Sequence, residues 1–342
     1  MTVCDGHIHL NPGFADDVRR AADAENAARY SLLSLAQLRD DPAQNTETLL
    51  AKALDPARCF AFCSLDYERN GQPAPDPLEQ VRLWLDAGFD GVKFIETKPN
   101  CQRRLGVRLD DMRFDPMFAY LEERGVPILW HNGDPAPFWD ADKCPKWAIE
   151  RGWAYLDPSY LSLDALYGIV ETVLERHPKL RVTFAHFYFV SDDPAHAERM
   201  MTRYPNVHFD ITPGTEMYPA FSENAGFFRD FITRYADRIQ YGTDTGCDAS
   251  NTVFNASMRD NIMRFLATNE EAVIHGTPAR GIALAEDTVE QIMSRTHDGF
   301  VGLVPRPIDR ATARIACEAA VERCSPDQKP FAQRAMERIC AL

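Results

Sequence analysis

Several things are missing from this sequence. It has no Cys-x-x-Cys pair, no cluster of Lys and Arg, no apolar run long enough to span a bilayer, no basic-then-apolar leader, and no internal repeat or low-complexity tract. The nine cysteines are scattered and odd in number, which argues against a disulfide framework and a thiolate metal site and fits reduced thiols in a cytoplasm. Without a leader or a spanning segment, a soluble, unexported protein with no membrane partner is expected. The formal charge of −14 at pH 7 repels phosphate backbones, and no basic patch opposes it locally, so nucleic acid is not an expected partner. The expected partners are a small-molecule substrate and a second copy of the chain in a homo-oligomer such as a dimer.

What is present is an ordinary globular composition, 45% hydrophobic and 26% charged over 342 residues, enough for one large core. Eight short, β-rich apolar runs alternate with amphipathic segments: Val3–His9, Tyr30–Leu35, Cys59–Asp66, Gly91–Thr97, Val126–Asn132, Arg181–Tyr188, Asn206–Thr212 and Ile239–Thr245. Helical periodicity lies between them, for example over Pro77–Ala87, Asp115–Arg124 and Leu163–Arg176. Repeated βα units predict an α/β fold, a (β/α)8 TIM barrel, over residues 1–304, followed by a C-terminal helical extension over 305–342. That extension is expected to dock on the barrel or to form an oligomer contact. An open doubly wound sheet competes, but no Gly-rich phosphate fingerprint follows the first strand. The long segments Lys98–Phe114 and Gly133–Ser162 follow strands and are expected to roof the catalytic face.

The polar residues that punctuate the strands carry the functional signal. His7 and His9 are two apart, so in a strand they project the same way. Such a pair alone is weak. His131, His186 and Asp244, however, also fall where strands five, six and eight are expected to end, and barrels keep their catalytic groups at those ends. Imidazoles with one carboxylate suit a borderline divalent ion, zinc first, with manganese, iron or cobalt as alternatives. The competing reading has His131 and His186 as core histidines and Asp244 as a helix cap.

The ordered segments Cys4-Asp5-Gly6-His7-Ile8-His9, Gly91-Val92-Lys93-Phe94, His131-Asn132-Gly133-Asp134-Pro135, Ala185-His186 and Tyr241-Gly242-Thr243-Asp244 resemble the motifs of the amidohydrolase-2 family, over about residues 1–300. The resemblance implies a metal-dependent hydrolase or decarboxylase on a (β/α)8 barrel. It implies His7, His9, His131 and Asp244 as metal ligands, with His186 as a catalytic histidine near the substrate. Some members of the wider superfamily carry a carbamylated lysine on strand four that bridges two ions, with the strand-five and strand-six histidines serving the second, which opens such a role to Lys93 and a second-metal role to His131 and His186. The alternatives for Lys93 are a substrate carboxylate or a structural acid as partner.

Strand parity separates Lys93 from Glu96, a reserve candidate that otherwise reads as a solvated acid at a strand end. Arg103, Arg104 and Arg108 are available to a substrate carboxylate or are simply solvated, and Asp134 reads as a turn former in Gly-Asp-Pro. The leading expectation is metal-activated water attacking a carbonyl of a small, carboxylate-bearing amide, lactone or ester, with Asp244 moving the proton and His186 holding the oxyanion. A metal-dependent decarboxylase of aromatic or unsaturated carboxylic acids is the alternative. A noncatalytic metal-binding barrel is the third reading.

Overall fold

The computed structural model describes residues 1–39, 41–69, 71–214, 216–247 and 252–342. Its parallel strands are β1 (Val3–Leu10), β2 (Ala27–Leu33), β3 (Cys59–Cys63), β4 (Gly91–Thr97), β5 (Pro127–Asn132), β6 (Arg181–Phe184), β7 (Val207–Asp210), β8 (Ile239–Gln240) and β9 (Thr245–Cys247). They pair in the order β8-β7-β6-β5-β4-β3-β2-β1-β9. β8 and β9 are two halves of one broken strand, the first bonded to β7 and the second to β1. Between them the Gly6 amide donates to the Tyr241 carbonyl, and the Asp244 amide to the His7 carbonyl, both at 2.9 Å. The ring is thereby closed as the expected TIM barrel.

Helix boundaries follow local chemistry. Asp76 accepts from the Glu79 amide ahead of Pro77–Ala87, and Gly88 ends that helix at φ 120°, a conformation glycine reaches without cost. Ser162 caps Leu163–Arg176 and Asp193 caps Pro194–Arg203 in the same way.

Alternation along the strands sorts two apolar layers. Val92, Phe94, Ile128, Trp130, Val182, Phe184 and Phe209 face outward and pack with helix residues such as Phe118, Leu166 and Val170. Leu33, Phe60, Phe62, Leu129 and Ala185 form a separate cluster inside the ring. Lys93, in register with Leu129, shares that inner face. A Cβ on Gly91 would collide with the Phe62 ring and the Pro127 carbonyl, so this close approach requires glycine.

Several expected strands end early, strand three at Cys63 and strand seven at Asp210 among them, and two are stopped by identifiable backbone turns. Strand six stops at Phe184 because His186, Phe187, Tyr188 and Phe189 all take positive φ, between 53° and 59°. Strand eight breaks where the Tyr241 amide bonds the Ile292 carbonyl and Asp244 turns to φ 56°. An antiparallel hairpin, Glu271–Ile274 with Thr277–Arg280, is an element that the sequence pattern did not announce. The tail forms helices Arg310–Arg323 and Lys329–Ala341, which pack on Ala43–Leu54 and Pro77–Ala87. Arg338 grips Asp16 at 2.6 and 2.7 Å, and Arg323 pairs with Asp66. Among the described residues no helix is long and apolar enough to cross a membrane, and every described cysteine is free.

Candidate metal centre and active site

β1 carries His7 and His9 to the C-terminal rim of the barrel. Burial and, secondarily, the nearby Lys93 charge push the His7 imidazole down to about 3, and burial also lowers His9. Both rings are therefore neutral, the form that ligates metal. The His7 Nδ1 lies 2.8 Å from Asp210 Oδ2, and neither side chain is exposed. A carboxylate can only accept, so Nδ1 carries the proton and the His7 Nε2 lone pair points into the site. His9 Nδ1 lies 3.4 Å from the Leu33 carbonyl, which leaves its Nε2 beside that of His7.

The resulting donor set is tight. His7 Nε2 and His9 Nε2 are 3.0 Å apart, and Asp244 Oδ1 lies 3.4 Å from the first and 3.0 Å from the second. Donors about 2.0–2.1 Å from a tetrahedral zinc are separated by about 3.3 Å. His9 Nε2 donates to Asp244 Oδ1 when it carries the proton; with that proton gone, two imidazole lone pairs and a carboxylate oxygen converge on one point, where a cation can lie between them. The residues thus fit a divalent metal, and Asp210 orients His7 from behind as carboxylates commonly do for ligating histidines. Gly242 makes room for the arrangement, because a Cβ there would approach Thr212 Oγ1 to 2.6 Å and His7 Cβ to 2.8 Å.

Asp244 gains its position from the strand break. Burial raises its carboxyl, but the bond to His9 and the His186 and His7 rings outweigh this and hold it well below the usual range. Its Oδ2 lies 4.0 Å from His186 Nε2. His186 sits on the left-handed turn after β6, where its amide donates to Asp210 Oδ1 at 2.7 Å and its Nδ1 donates to the Thr212 carbonyl at 3.2 Å. One residue, Asp210, therefore fixes both the His7 ring and the His186 backbone. It stands at the end of β7 two residues beyond His208, and its strand-end position was the one sequence signal for this role.

His131 reaches the same rim from β5, with its ring centroid 5.0 Å from that of His186. Its Nε2 donates to the Gly133 carbonyl at 3.0 Å and is 3.5 Å from Asp134, so it stands outside the tight group formed by His7, His9 and Asp244. Burial raises the Asp134 carboxyl, but Lys98 and His131 bring it down to about 2. Lys98 and the Tyr155 hydroxyl both donate to it.

Lys93 points inward and is fully buried, and its Nζ has no hydrogen-bond partner among the described residues. Burial lowers it to about 8, against the attraction of Asp210, Asp244 and Glu96. Glu96 is not a solvated acid. The register shifts between Phe94 and Thr97, and Glu96 is fully buried there, accepting from Tyr67 at 2.8 Å and Gln37 at 3.4 Å.

The donor set opens into a cavity of about 730 Å³ whose wall includes Asp244, His186 and His131. Phe138, Trp147, Trp153 and Phe189 supply aromatic faces, and Lys98, Lys143, Arg151 and His275 supply cationic or polar groups. Arg103, Arg104 and Arg108 do not line it. Arg103 lies over the Tyr160 ring, Arg104 donates to the Gln37 carbonyl, and Arg108 pairs with Asp110 at 2.8 Å. Phe138, Lys143, Trp147, Arg151 and Trp153 come from Gly133–Ser162, a segment expected to roof the catalytic face, but its irregular fold has no periodic signature that singles these residues out.

Comparison with solved structures places this architecture among known barrels. An uncharacterized TIM-barrel protein from Bordetella bronchiseptica aligns with TM-score 0.54 at 13% identity, over 89% of this chain and 99% of that one. Metarhizium anisopliae IDCase in apo form aligns with TM-score 0.54 at 14% identity, over 88% and 97%. The 4-oxalomesaconate hydratase of Rhodopseudomonas palustris aligns with TM-score 0.51 at 11% identity, over 94% and 100%. No curated protein matches the sequence. The amidohydrolase family model matches residues 4–296, the span that holds His7, His9, His131, His186, Asp210 and Asp244. The chain belongs to the amidohydrolase family.

Proposed function

We propose that this amidohydrolase hydrolyses a small, carboxylate-bearing amide, lactone or ester. The observation that carries the reading is the placement of Asp244: Oδ1 belongs to the donor set, Oδ2 faces His186 at 4.0 Å, and the side chain, 36% exposed, opens onto the cavity. His7, His9 and Asp244 would hold the ion, with His131 as the remaining donor once its ring leaves the Gly133 carbonyl. A divalent ion bound there, zinc first and manganese, iron or cobalt as alternatives, supplies Lewis acidity and lowers the pKa of water.

Asp244 takes the proton of the attacking water and returns it to the leaving group. His186, with Nδ1 committed to the Thr212 carbonyl, presents Nε2 to the reaction. A proton taken up from solvent on Nε2 as the substrate binds lets it donate to the developing oxyanion, while Asp244 alone carries the proton of the attacking water. Lys93 remains an amine whose charge faces Asp210 and Asp244, and the centre holds one ion. Lys98, Lys143 and Arg151 receive the substrate carboxylate.

Asp244→Asn is expected to abolish turnover while circular dichroism stays native, and near-normal activity in that variant overturns the assignment. A second reading, decarboxylation of an aromatic or unsaturated acid, is favoured by the aromatic cavity wall, where Lys98 lies 4.7 Å from the Trp153 ring and Arg151 5.5 Å from both Trp147 and Trp153. A panel of lactones, amides and aromatic carboxylic acids, scored for acid production against carbon dioxide release, separates the two. Carbon dioxide release without acid production would replace the hydrolytic reading.

A further inference from the structure

At the opposite end of the same strand a second donor group has assembled. Cys4, three residues before His7, lies beneath the inner cluster with no exposure. Its Sγ is 3.6 Å from Asp298 Oδ1, and His297 Nδ1 is also 3.6 Å from that oxygen. All three donor atoms lie within 4.8 Å of one another. His297 is fully buried, and its Nδ1 has no hydrogen-bond partner among the described residues. Its other nitrogen, Nε2, is 3.0 Å from Ser31 Oγ. Neither tautomer cures the deficit. If Nε2 carries the proton, Nδ1 turns a lone pair towards a carboxylate; if Nδ1 carries it, 3.6 Å is too long for a hydrogen bond. Native interiors rarely leave such a nitrogen unsatisfied.

We propose that Cys4, His297 and Asp298 form a second metal site, for a thiophilic borderline ion such as zinc, at the N-terminal end of the barrel. Separations of 3.6 Å for the sulfur–oxygen and nitrogen–oxygen pairs are close to the about 3.3–3.5 Å between donors around a tetrahedral zinc with one thiolate. Binding breaks the Cys4 S–H bond, forms the metal–sulfur bond and releases one proton to solvent. Arg29 steadies the carboxylate from outside, with Nε 2.6 Å from Asp298 Oδ1 and Nη2 2.5 Å from Oδ2. The 17% exposure of the Asp298 side chain and the 23% of Arg29 mark the route by which an ion and a completing water enter.

A nucleophilic role does not suit the same residues. Cys4 is out of reach of any substrate, and burial, with Asp298 beside it, pushes its thiol up to about 12. The site instead ties β1, which carries His7 and His9, to the helix Thr296–Val301. It revises the expectation that scattered cysteines leave thiolates out of metal binding, because Cys4 and His297 are almost the whole chain apart in sequence.

Co(II) titration of the metal-stripped full chain tests this independently of the hydrolytic reading, since the catalytic donors are nitrogen and oxygen only. Wild type is expected to take up two equivalents and to develop a thiolate-to-Co(II) charge-transfer band in the near ultraviolet. Cys4→Ser should lose the band and one equivalent, and His297→Gln should weaken the band, while His7→Ala and Cys247→Ser keep it. Calorimetry in buffers of different ionisation enthalpy should show one proton released by wild type and none by Cys4→Ser at this step. Absence of the band in wild type, or its persistence in Cys4→Ser, overturns the proposal. A band lost in His7→Ala but kept in Cys4→Ser would assign it to the other end of the barrel and equally reject the site.

Discussion

Lys93 offers a direct measure of what the barrel interior does to a charge. The ammonium is fully buried, its Nζ lacks a hydrogen bond among the described residues, and it is lowered from the ordinary 10.5 to about 8. That span, at 1.36 kcal/mol per unit, corresponds to roughly 3 kcal/mol by which the folded state disfavours the charged amine at neutral pH. Lys93→Met keeps a side chain of similar length beside Leu129 and removes the charge. In metal-stripped protein and carbon-dioxide-free buffer, the variant should therefore be more stable than wild type by about 2–3 kcal/mol at pH 7. The sign reverses nothing but fades with pH. Between about 8 and 10.5 the unfolded chain still holds the proton that native Lys93 has lost, so wild-type stability rises relative to the variant across that window. Urea unfolding of both proteins at pH 7 and pH 10 reads the difference, and effects of other titrating groups cancel between them. A variant less stable than wild type at pH 7, or a gap unchanged at pH 10, would refute the argument.

Two further outcomes follow from the same geometry. Asp210→Asn removes the charged acceptor behind His7 Nδ1 and should weaken metal binding by about 10- to 100-fold, measured by competition with a chromogenic chelator; an unchanged Kd would show that Asp210 does not orient the ligand. Gly91→Ala places a methyl group against the Phe62 ring and the Pro127 carbonyl and should cost about 1–3 kcal/mol in urea unfolding, with a neutral result meaning that β4 can shift.

The metal centre shows how much could be anticipated. His7 and His9 are two apart in a strand, and period two alone puts both rings on one face. Asp244 was identified by its order in the chain, but its working position depends on the break between β8 and β9, which a hydrogen bond from Tyr241 to distant Ile292 imposes. His186 was expected at the end of a strand and instead sits on a left-handed turn of four residues, none of them glycine. Such a turn costs about 1–2 kcal/mol per residue in isolation, so tertiary packing of Phe187 and Tyr188 must hold it, and no local pattern foretells that.

The chain's own pattern determined the alternation of strands and helices, the closed barrel and the identity of the candidate ligands, because periodicity and strand-end placement are local properties. Tertiary structure alone decided that Lys93 faces inward and that Glu96 is buried against Tyr67 and Gln37 rather than solvated, since strands buried on both sides give no hydrophobic clue to their inner face. It also decided that Asp210 stands behind His7, that Lys143 and Arg151 rather than Arg103 or Arg108 line the cavity, and that Cys4 meets His297. Each of these depends on residues far apart in the chain meeting across a closed ring.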